Sequence, residues 1–125
     1  MMLSDARYWI TSYSRRYALP LFNLAPQPGV YKYIRFREQL FYGDFDTSHR
    51  NIAIKEGILK QIMHILLSNS QDVGAGVFVV QSEQVQVSTS GSTTLAVPPD
   101  GPGSADDLKI FTEKSTPYGF TVSKL

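Results

Sequence analysis

The strongest pattern along the chain is a helical one between residues 52 and 67. Large apolar side chains recur three or four positions apart, which is the spacing of a helix with one buried stripe; they are Ile54, Ile58, Ile62, Ile65 and Leu66, with Leu59 and Met63 beside them. We therefore predict one long helix, with Asp46, Thr47 and Ser48 as candidate N-caps. Gly57 inside this helix costs about 1 kcal/mol relative to alanine, which indicates that a neighbouring segment packs closely there.

An alternating pattern from Val30 to Tyr42 predicts a long strand ahead of this helix. One face carries Val30, Ile34, Phe36 and Leu40, and the other carries Tyr31, Tyr33, Arg35 and Arg37. Lys32 falls in the apolar row. Either its ammonium group reaches out to solvent at the strand end, or it points at a bound anion, and the pattern leaves both interpretations open.

Shorter elements follow the long helix. Runs at 77–80 and 85–87 predict an antiparallel hairpin, Ser104 can cap a second helix with Asp107 at the capping-box position, and alternation near the C-terminus predicts a last strand. Helices packed on a mixed sheet would bury these apolar faces. We therefore predict a single α+β domain of order β-α-β-β-α-β over residues 29–125, preceded by an N-terminal helical segment and a proline-rich connection over residues 1–28.

Residues 1–17 are basic and poor in acidic side chains. Such a start is typical either of a helix packed on the domain or of an organelle presequence. We favour the packed helix and a cytoplasmic protein, with a mitochondrial location as the alternative. Aromatic and arginine side chains are common interface anchors, so the segment also carries candidate contacts for a protein partner: Tyr8, Trp9, Tyr13 and Arg16.

Composition narrows the classes of function. The chain has 125 residues and a net charge of +1, and it has no long basic run that would favour a nucleic-acid partner. No apolar run reaches the roughly 20 residues that span a bilayer. The absence of cysteine excludes disulfides and cysteine nucleophiles. Two histidines without clustered carboxylates predict no metal site, and no cofactor is predicted.

The candidate chemistry lies at the start of the long helix. His49 is one of only two histidines, and its unperturbed pKa near 6.5 suits proton transfer at neutral pH. Unpaired first-turn N–H groups at a helix start attract anions. Downstream, Ser92-Thr93-Thr94 is either a polar surface loop or a phosphate cradle. His49 is equally compatible with a capping or solvated role, and His64, on the polar helix face, is assigned none.

Several segments, in order along the chain, resemble the motifs of one known family. Gly29-Val30-Tyr31-Lys32-Tyr33 resembles an opening strand Gly-Val-Phe-Lys-Tyr, and His49-Arg50-Asn51-Ile52 resembles a His-Ala-Asp-Ile segment at a helix start. Gly74-Ala75-Gly76 resembles a glycine-rich turn before a hairpin, and residues 87–98 resemble a strand followed by a phosphate-binding segment. These are motifs of the Janus family of phosphohistidine phosphatases, and the resemblance runs from Gly29 to Ser123.

The resemblance implies a metal-independent phosphatase that removes phosphate from a phosphohistidine, or alternatively a phospholysine, of a protein substrate. In the family the histidine of this motif is catalytic and the lysine of the opening strand lies at the active site. Carried over to this chain, His49 is the base or the nucleophile. The phosphate-binding residues are then Lys32, Ser92, Thr93 and Thr94.

The chain also departs from the family pattern. Thr47 and Ser48 replace an acidic and an aromatic residue before the histidine, and Leu95 replaces the tyrosine of the phosphate-binding segment. The family's arginine near the next strand has no counterpart, although Tyr42 falls close by. These departures support an alternative, in which the chain is a non-catalytic Janus-like interaction module or a subunit of a larger assembly.

Overall fold

The computed structural model describes residues 27–125, which form a mixed five-stranded sheet with three α-helices. The elements are β1 (Gly29–Phe36), β2 (Gln39–Asp44), α1 (His49–Lys55), α2 (Leu59–Leu66), β3 (Val73–Gln81), β4 (Gln84–Ser88), α3 (Ser104–Ser115) and β5 (Thr121–Lys124), with 3-10 turns at Ser70–Asp72 and Thr116–Tyr118. The strand order is β2-β1-β3-β4-β5, and only the β4–β5 pair of this sheet is parallel. The predicted α+β class is confirmed. Predictions for residues 1–26 lie outside the described part of the chain.

The strand predicted from Val30 to Tyr42 is wrong as a single element, because β1 and β2 form a hairpin there. Arg37 and Glu38 make the turn, and Arg37 adopts a φ of 57°, which a non-glycine residue enters only at a cost. Neither residue is a usual turn former, so the sequence carries no turn signal. Because Leu40 pairs with Arg35, the turn moves Leu40 to the sheet face opposite the one predicted.

Both faces of the sheet are covered by helices, and β1, β2 and β3 contribute to two hydrophobic cores. One face packs against α1 and α2, and its buried residues include Ile34, Phe41, Ile52, Ala53, Ile62 and Ala75. The other face packs against α3, and its buried residues include Tyr33, Leu40, Tyr42, Phe78, Val87 and Phe111. Adjacent residues of β1 therefore point into different cores, as the period of a strand requires.

The single long helix is also wrong, since Gly57 separates α1 from α2. Gly57 has a φ of +73°, and a Cβ placed on it would meet no atom within 4 Å. Glycine is therefore needed for its left-handed backbone, and the predicted close packing is absent at this described residue. The break rotates the apolar stripe of α1 relative to that of α2. Ile54, which was predicted to lie in the buried stripe, and Met63, which was placed beside it, are 52% and 50% exposed.

Asp107 is a buried partner of the sheet and not a helix cap, contrary to the prediction. Helix α3 has Gly103 as its N-cap, without a side-chain cap bond. The Asp107 carboxylate instead accepts hydrogen bonds from Tyr33 Oη and from Arg35 Nε, both at 2.6 Å. Burial raises the pKa of Asp107, and the bonds from Tyr33 and Arg35 oppose that shift. This polar cluster fastens α3 to β1.

The predicted hairpin and last strand are confirmed as β3–β4 and β5. The segment Gly74-Ala75-Gly76 lies within β3, however, and is not a turn. A Cβ on Gly74 would lie 1.8 Å from Asp107 Oδ1, and one on Gly76 would lie 2.0 Å from the Ser88 carbonyl oxygen. These glycines therefore allow close approach of neighbouring groups. Within residues 27–125, no helix has both the length and the apolar composition of a membrane span.

Candidate functional site

His49 is the first residue of α1, and its side chain turns inward to β3. Ser48 Oγ accepts a hydrogen bond from Asn51 N at 3.0 Å, which confirms Ser48 among the predicted N-caps. The His49 ring is only 7% exposed, and its Nε2 lies 2.9 Å from the carbonyl oxygen of Gly76. A carbonyl can only accept, so Nε2 carries the proton of this bond. In the neutral ring, Nδ1 is then the nitrogen with a free lone pair.

The surroundings of His49 favour this neutral ring. Burial lowers the pKa of His49 below its usual 6.5, the hydrogen bond to Gly76 partly opposes the shift, and the positive charge of Lys32 adds to it. The imidazole is therefore held as a base at neutral pH. A neutral imidazole with one nitrogen fixed as a donor presents its second nitrogen as an acceptor or a nucleophile.

Lys32 lies on the sheet face that carries α1. It is half-buried, it pairs with Val77 of β3, and it shares its face with Ile34 because alternate residues of a strand point the same way. Its ammonium nitrogen lies 5.4 Å from the ring centroid of Phe45, in the loop between β2 and α1. The lysine is thus directed toward the β2–α1 loop, and its charge acts on the His49 ring.

The loop that carries Ser92, Thr93 and Thr94 contacts the same end of β3. Gly91 N donates to the Ala75 carbonyl at 2.9 Å, next to the residue that binds His49. Thr94 Oγ1 accepts from Arg50 N at 3.2 Å, so the loop also contacts α1. The segments that carry His49 and Thr94 therefore contact each other and the first half of β3, and Lys32 lies on the neighbouring strand, opposite Val77.

Several polar groups of the predicted phosphate cradle are already paired within the protein. The Ser92 hydroxyl is buried, accepts from Leu95 N at 3.2 Å, and shares a hydrogen bond of 3.1 Å with Thr94 Oγ1. The amides of Arg50 and Asn51 donate to side chains, which corrects the expectation that the first-turn N–H groups of α1 point outward unpaired. Helix α1 also has only seven residues, so its end carries a weaker field than the predicted long helix.

Two features of the site are not evident from the sequence. The Gly76 carbonyl orients the His49 ring, but a backbone acceptor leaves no side-chain signal. Phe45 lies beside Lys32 and is 54% exposed. The one sequence feature that could have indicated this role is that Phe45 is the aromatic residue of the polar stretch 43–49.

Other parts of the molecule offer different kinds of site. A cavity of about 620 Å³ lies between the β1–β2 turn and α3, lined in part by Arg35, Arg37, Asp72, Asp106 and Lys109; it contains none of the predicted site residues. Among residues 27–125, no group of three or more His, Cys, Asp or Glu side chains is placed to hold a metal ion.

Comparison of the chain with protein-family models, with curated protein sequences and with solved structures found no match.

Proposed function

We propose that this protein is a metal-independent protein phosphohistidine phosphatase of the Janus type, with His49 as its base or nucleophile. One observation carries the proposal. The Gly76 carbonyl lies 2.9 Å from His49 Nε2, which leaves Nδ1 of the neutral ring unprotonated, and the positive charge of Lys32 acts on the same ring. A base beside a cation is the arrangement that attack on an anionic phosphoryl group requires.

The reaction needs little more than positioning. A P–N bond is already reactive, so the protein must hold the phosphoryl oxygens, align the attacking atom and let the imidazole leave protonated. His49 Nδ1 either removes a proton from a water whose oxygen attacks phosphorus, or attacks phosphorus itself. In both cases the P–N bond breaks, and the departing nitrogen keeps its electron pair and takes up a proton. When His49 is the nucleophile, a water then attacks the phosphoryl group on Nδ1, which breaks the new N–P bond, releases phosphate and restores the free imidazole.

Lys32 and the 92–94 loop have distinct tasks in this scheme. Lys32 neutralises the phosphoryl oxygens as a point charge. Ser92, which bonds to Leu95 and Thr94, keeps the loop in shape. Thr94 Oγ1 accepts from Arg50 N and ties the loop to α1, and the neighbouring Thr93, which is exposed, supplies the polar contact to phosphate.

A second candidate is a non-catalytic Janus-like module that binds a protein partner or forms part of an assembly. The observation in its favour is that the Ser92 hydroxyl and the amides of Arg50 and Asn51 already have partners within the protein. Such internal pairing leaves fewer donors for phosphate than an active cradle would have. The predicted partner contacts at Tyr8, Trp9, Tyr13 and Arg16 lie outside the described residues.

Phosphate release from a phosphohistidine peptide in the presence of EDTA tests the first candidate against the second. The proposal expects the wild-type protein to release phosphate faster than the buffer alone. His49→Asn should lose at least about 100-fold in kcat, because general-base catalysis is worth about 10²–10⁴-fold. His64→Asn is the matched control, since His64 is an exposed histidine on α2, and it should retain wild-type activity.

The outcomes separate the two candidates. If the wild-type protein does not accelerate release, the non-catalytic module is favoured. If the wild-type protein is active and His49→Asn remains equally active, the assignment of His49 fails. Folding of each variant is checked by circular dichroism, so that an unfolded variant is not mistaken for a folded variant without catalytic activity.

A further inference from the structure

Phe45 is an unusually exposed aromatic side chain at the edge of the candidate site. It is 54% exposed, more than any other aromatic residue among those described. The residue follows β2 directly and lies four positions before His49. The exposed part of the ring is open to contact with a ligand, and an aromatic face binds other planar rings by stacking.

The position of the ring relates it to the phosphoryl group. Lys32 Nζ lies 5.4 Å from the Phe45 centroid, within the range of a cation–π contact. In the proposed function, the same ammonium group neutralises the phosphoryl oxygens. A phosphoryl group bound to Lys32 therefore lies beside Phe45, and so does whatever is attached directly to phosphorus.

We infer that Phe45 selects a planar leaving group, so that the site prefers phosphohistidine to phospholysine; this inference rests on the proposed function. In phosphohistidine the imidazole ring is bonded to phosphorus, and it can stack on the Phe45 ring. Phospholysine has a flexible alkyl chain at the same place and gains no stacking. As the P–N bond breaks, the departing nitrogen keeps the electron pair and takes up one proton, so the imidazole leaves as a neutral aromatic ring that remains stacked on Phe45.

The test compares the wild-type protein and three variants on two substrates. Wild type, Phe45→Leu and Phe45→Trp are assayed on a phosphohistidine peptide and on a phospholysine peptide of the same sequence. We expect Phe45→Leu to lower kcat/KM for phosphohistidine by about fivefold, the order of one stacked aromatic pair, and to change phospholysine hydrolysis by less than about twofold. Phe45→Trp keeps an aromatic face and should retain the preference. Tyr118→Leu is the matched control, an exposed aromatic residue in the turn after α3, and should change neither rate.

Two results of this assay would overturn the inference. An equal loss on both substrates means that Phe45 acts only by positioning Lys32. If Phe45→Leu hydrolyses both substrates at the wild-type rates, the ring has no role in selecting between them.

A binding experiment separates failure of this inference from failure of the phosphatase proposal. Isothermal titration measures the affinity for two non-hydrolysable peptides, one with a phosphonate on a triazole ring and one with a phosphonate on an alkyl chain. If the protein hydrolyses neither substrate but binds the ring-bearing peptide more tightly, and Phe45→Leu removes that preference, the inference stands and the enzyme proposal fails. If wild type shows no preference, or binds neither peptide, the inference is wrong.

Discussion

Replacing Asp107 by alanine tests how the polar cluster between α3 and β1 stabilises the fold. The change removes the carboxylate that accepts from Tyr33 Oη and Arg35 Nε, both at 2.6 Å. Arg35 would keep its positive charge in a position where only 2% of its side chain is exposed. Its remaining bonds, to the carbonyl oxygens of Arg37, Gln71 and Gly103, supply no negative charge.

The expected magnitude follows from this burial. Removal of one partner of a buried ion pair costs about 3–5 kcal/mol, because the other charge stays buried and uncompensated. The Asp107 and Arg35 side chains are 1% and 2% exposed, so solvent screening does not reduce this figure. A domain of this kind has a free energy of unfolding of about 5–15 kcal/mol. We therefore expect Asp107→Ala to lose about 4 kcal/mol, a large fraction of the total stability.

Urea unfolding followed by far-ultraviolet circular dichroism measures this loss. The neighbouring Asp106→Ala is the matched control, because Asp106 is exposed on the same helical turn and should lose no more than about 1 kcal/mol. Asp107→Asn keeps the shape of the side chain and should lose less than alanine does, so it provides a measurable value if Asp107→Ala does not fold. The reasoning is refuted if Asp107→Ala changes the free energy of unfolding by no more than the Asp106 control.

Further predictions concern the backbone at Gly57 and the ionisation of His49. Gly57→Ala should lower the free energy of unfolding by about 1–2 kcal/mol, because alanine is strained in the left-handed backbone conformation. Gly119→Ala should lose a similar amount, since Gly119 has a φ of +88° and also lies in open space. A Gly57→Ala variant more stable than wild type would contradict this. NMR titration should place the pKa of His49 below 6.5, and Lys32→Met should raise it; an unchanged value would remove Lys32 from the site. Because the unfolded chain takes up the His49 proton first as pH falls, stability should be fully present above about pH 6.5 and decline toward the folded pKa, and His49→Gln should flatten that decline.

The sequence predicts the class of fold because the apolar periods of its elements are clear. The stripe at Ile58 and Ile62 and the valine runs of β3 and β4 follow the helix and strand periods, and tertiary packing preserves them. The α3 helix and the last strand are recovered for the same reason.

The errors arise where one residue changes the chain direction without a strong local signal. Arg37 takes a left-handed turn that its residue type does not favour, so the β1–β2 hairpin looks like one strand. Gly57 looks like a tolerated helix glycine, whereas it separates two helices. Asp107 occupies a capping position in sequence, but its partners Tyr33 and Arg35 are more than 70 residues away along the chain, and local pattern does not reveal them.

The sequence predicts some of the contacts between the candidate segments and misses others. The segments of His49 and Thr94 do contact each other, through Arg50 N and Thr94 Oγ1, and the charge of Lys32 acts on His49. The orientation of His49 depends on the Gly76 carbonyl, however, and the pairing of the Arg50 and Asn51 amides depends on side chains of Thr94 and Ser48. The Gly76 and Thr94 partners are distant along the chain and leave no local signal, whereas Ser48 was predicted as an N-cap from its residue type.

A crystal structure with bound phosphate or tungstate tests the account most directly, because it locates the oxyanion relative to all three segments. We expect the anion in contact with Lys32 Nζ and with the loop at Thr93, and its central atom about 3–3.5 Å from His49 Nδ1, the distance of an aligned attacking group. Binding elsewhere, for example between Arg37 and Lys109, with His49 Nδ1 turned away from the anion, would contradict the account.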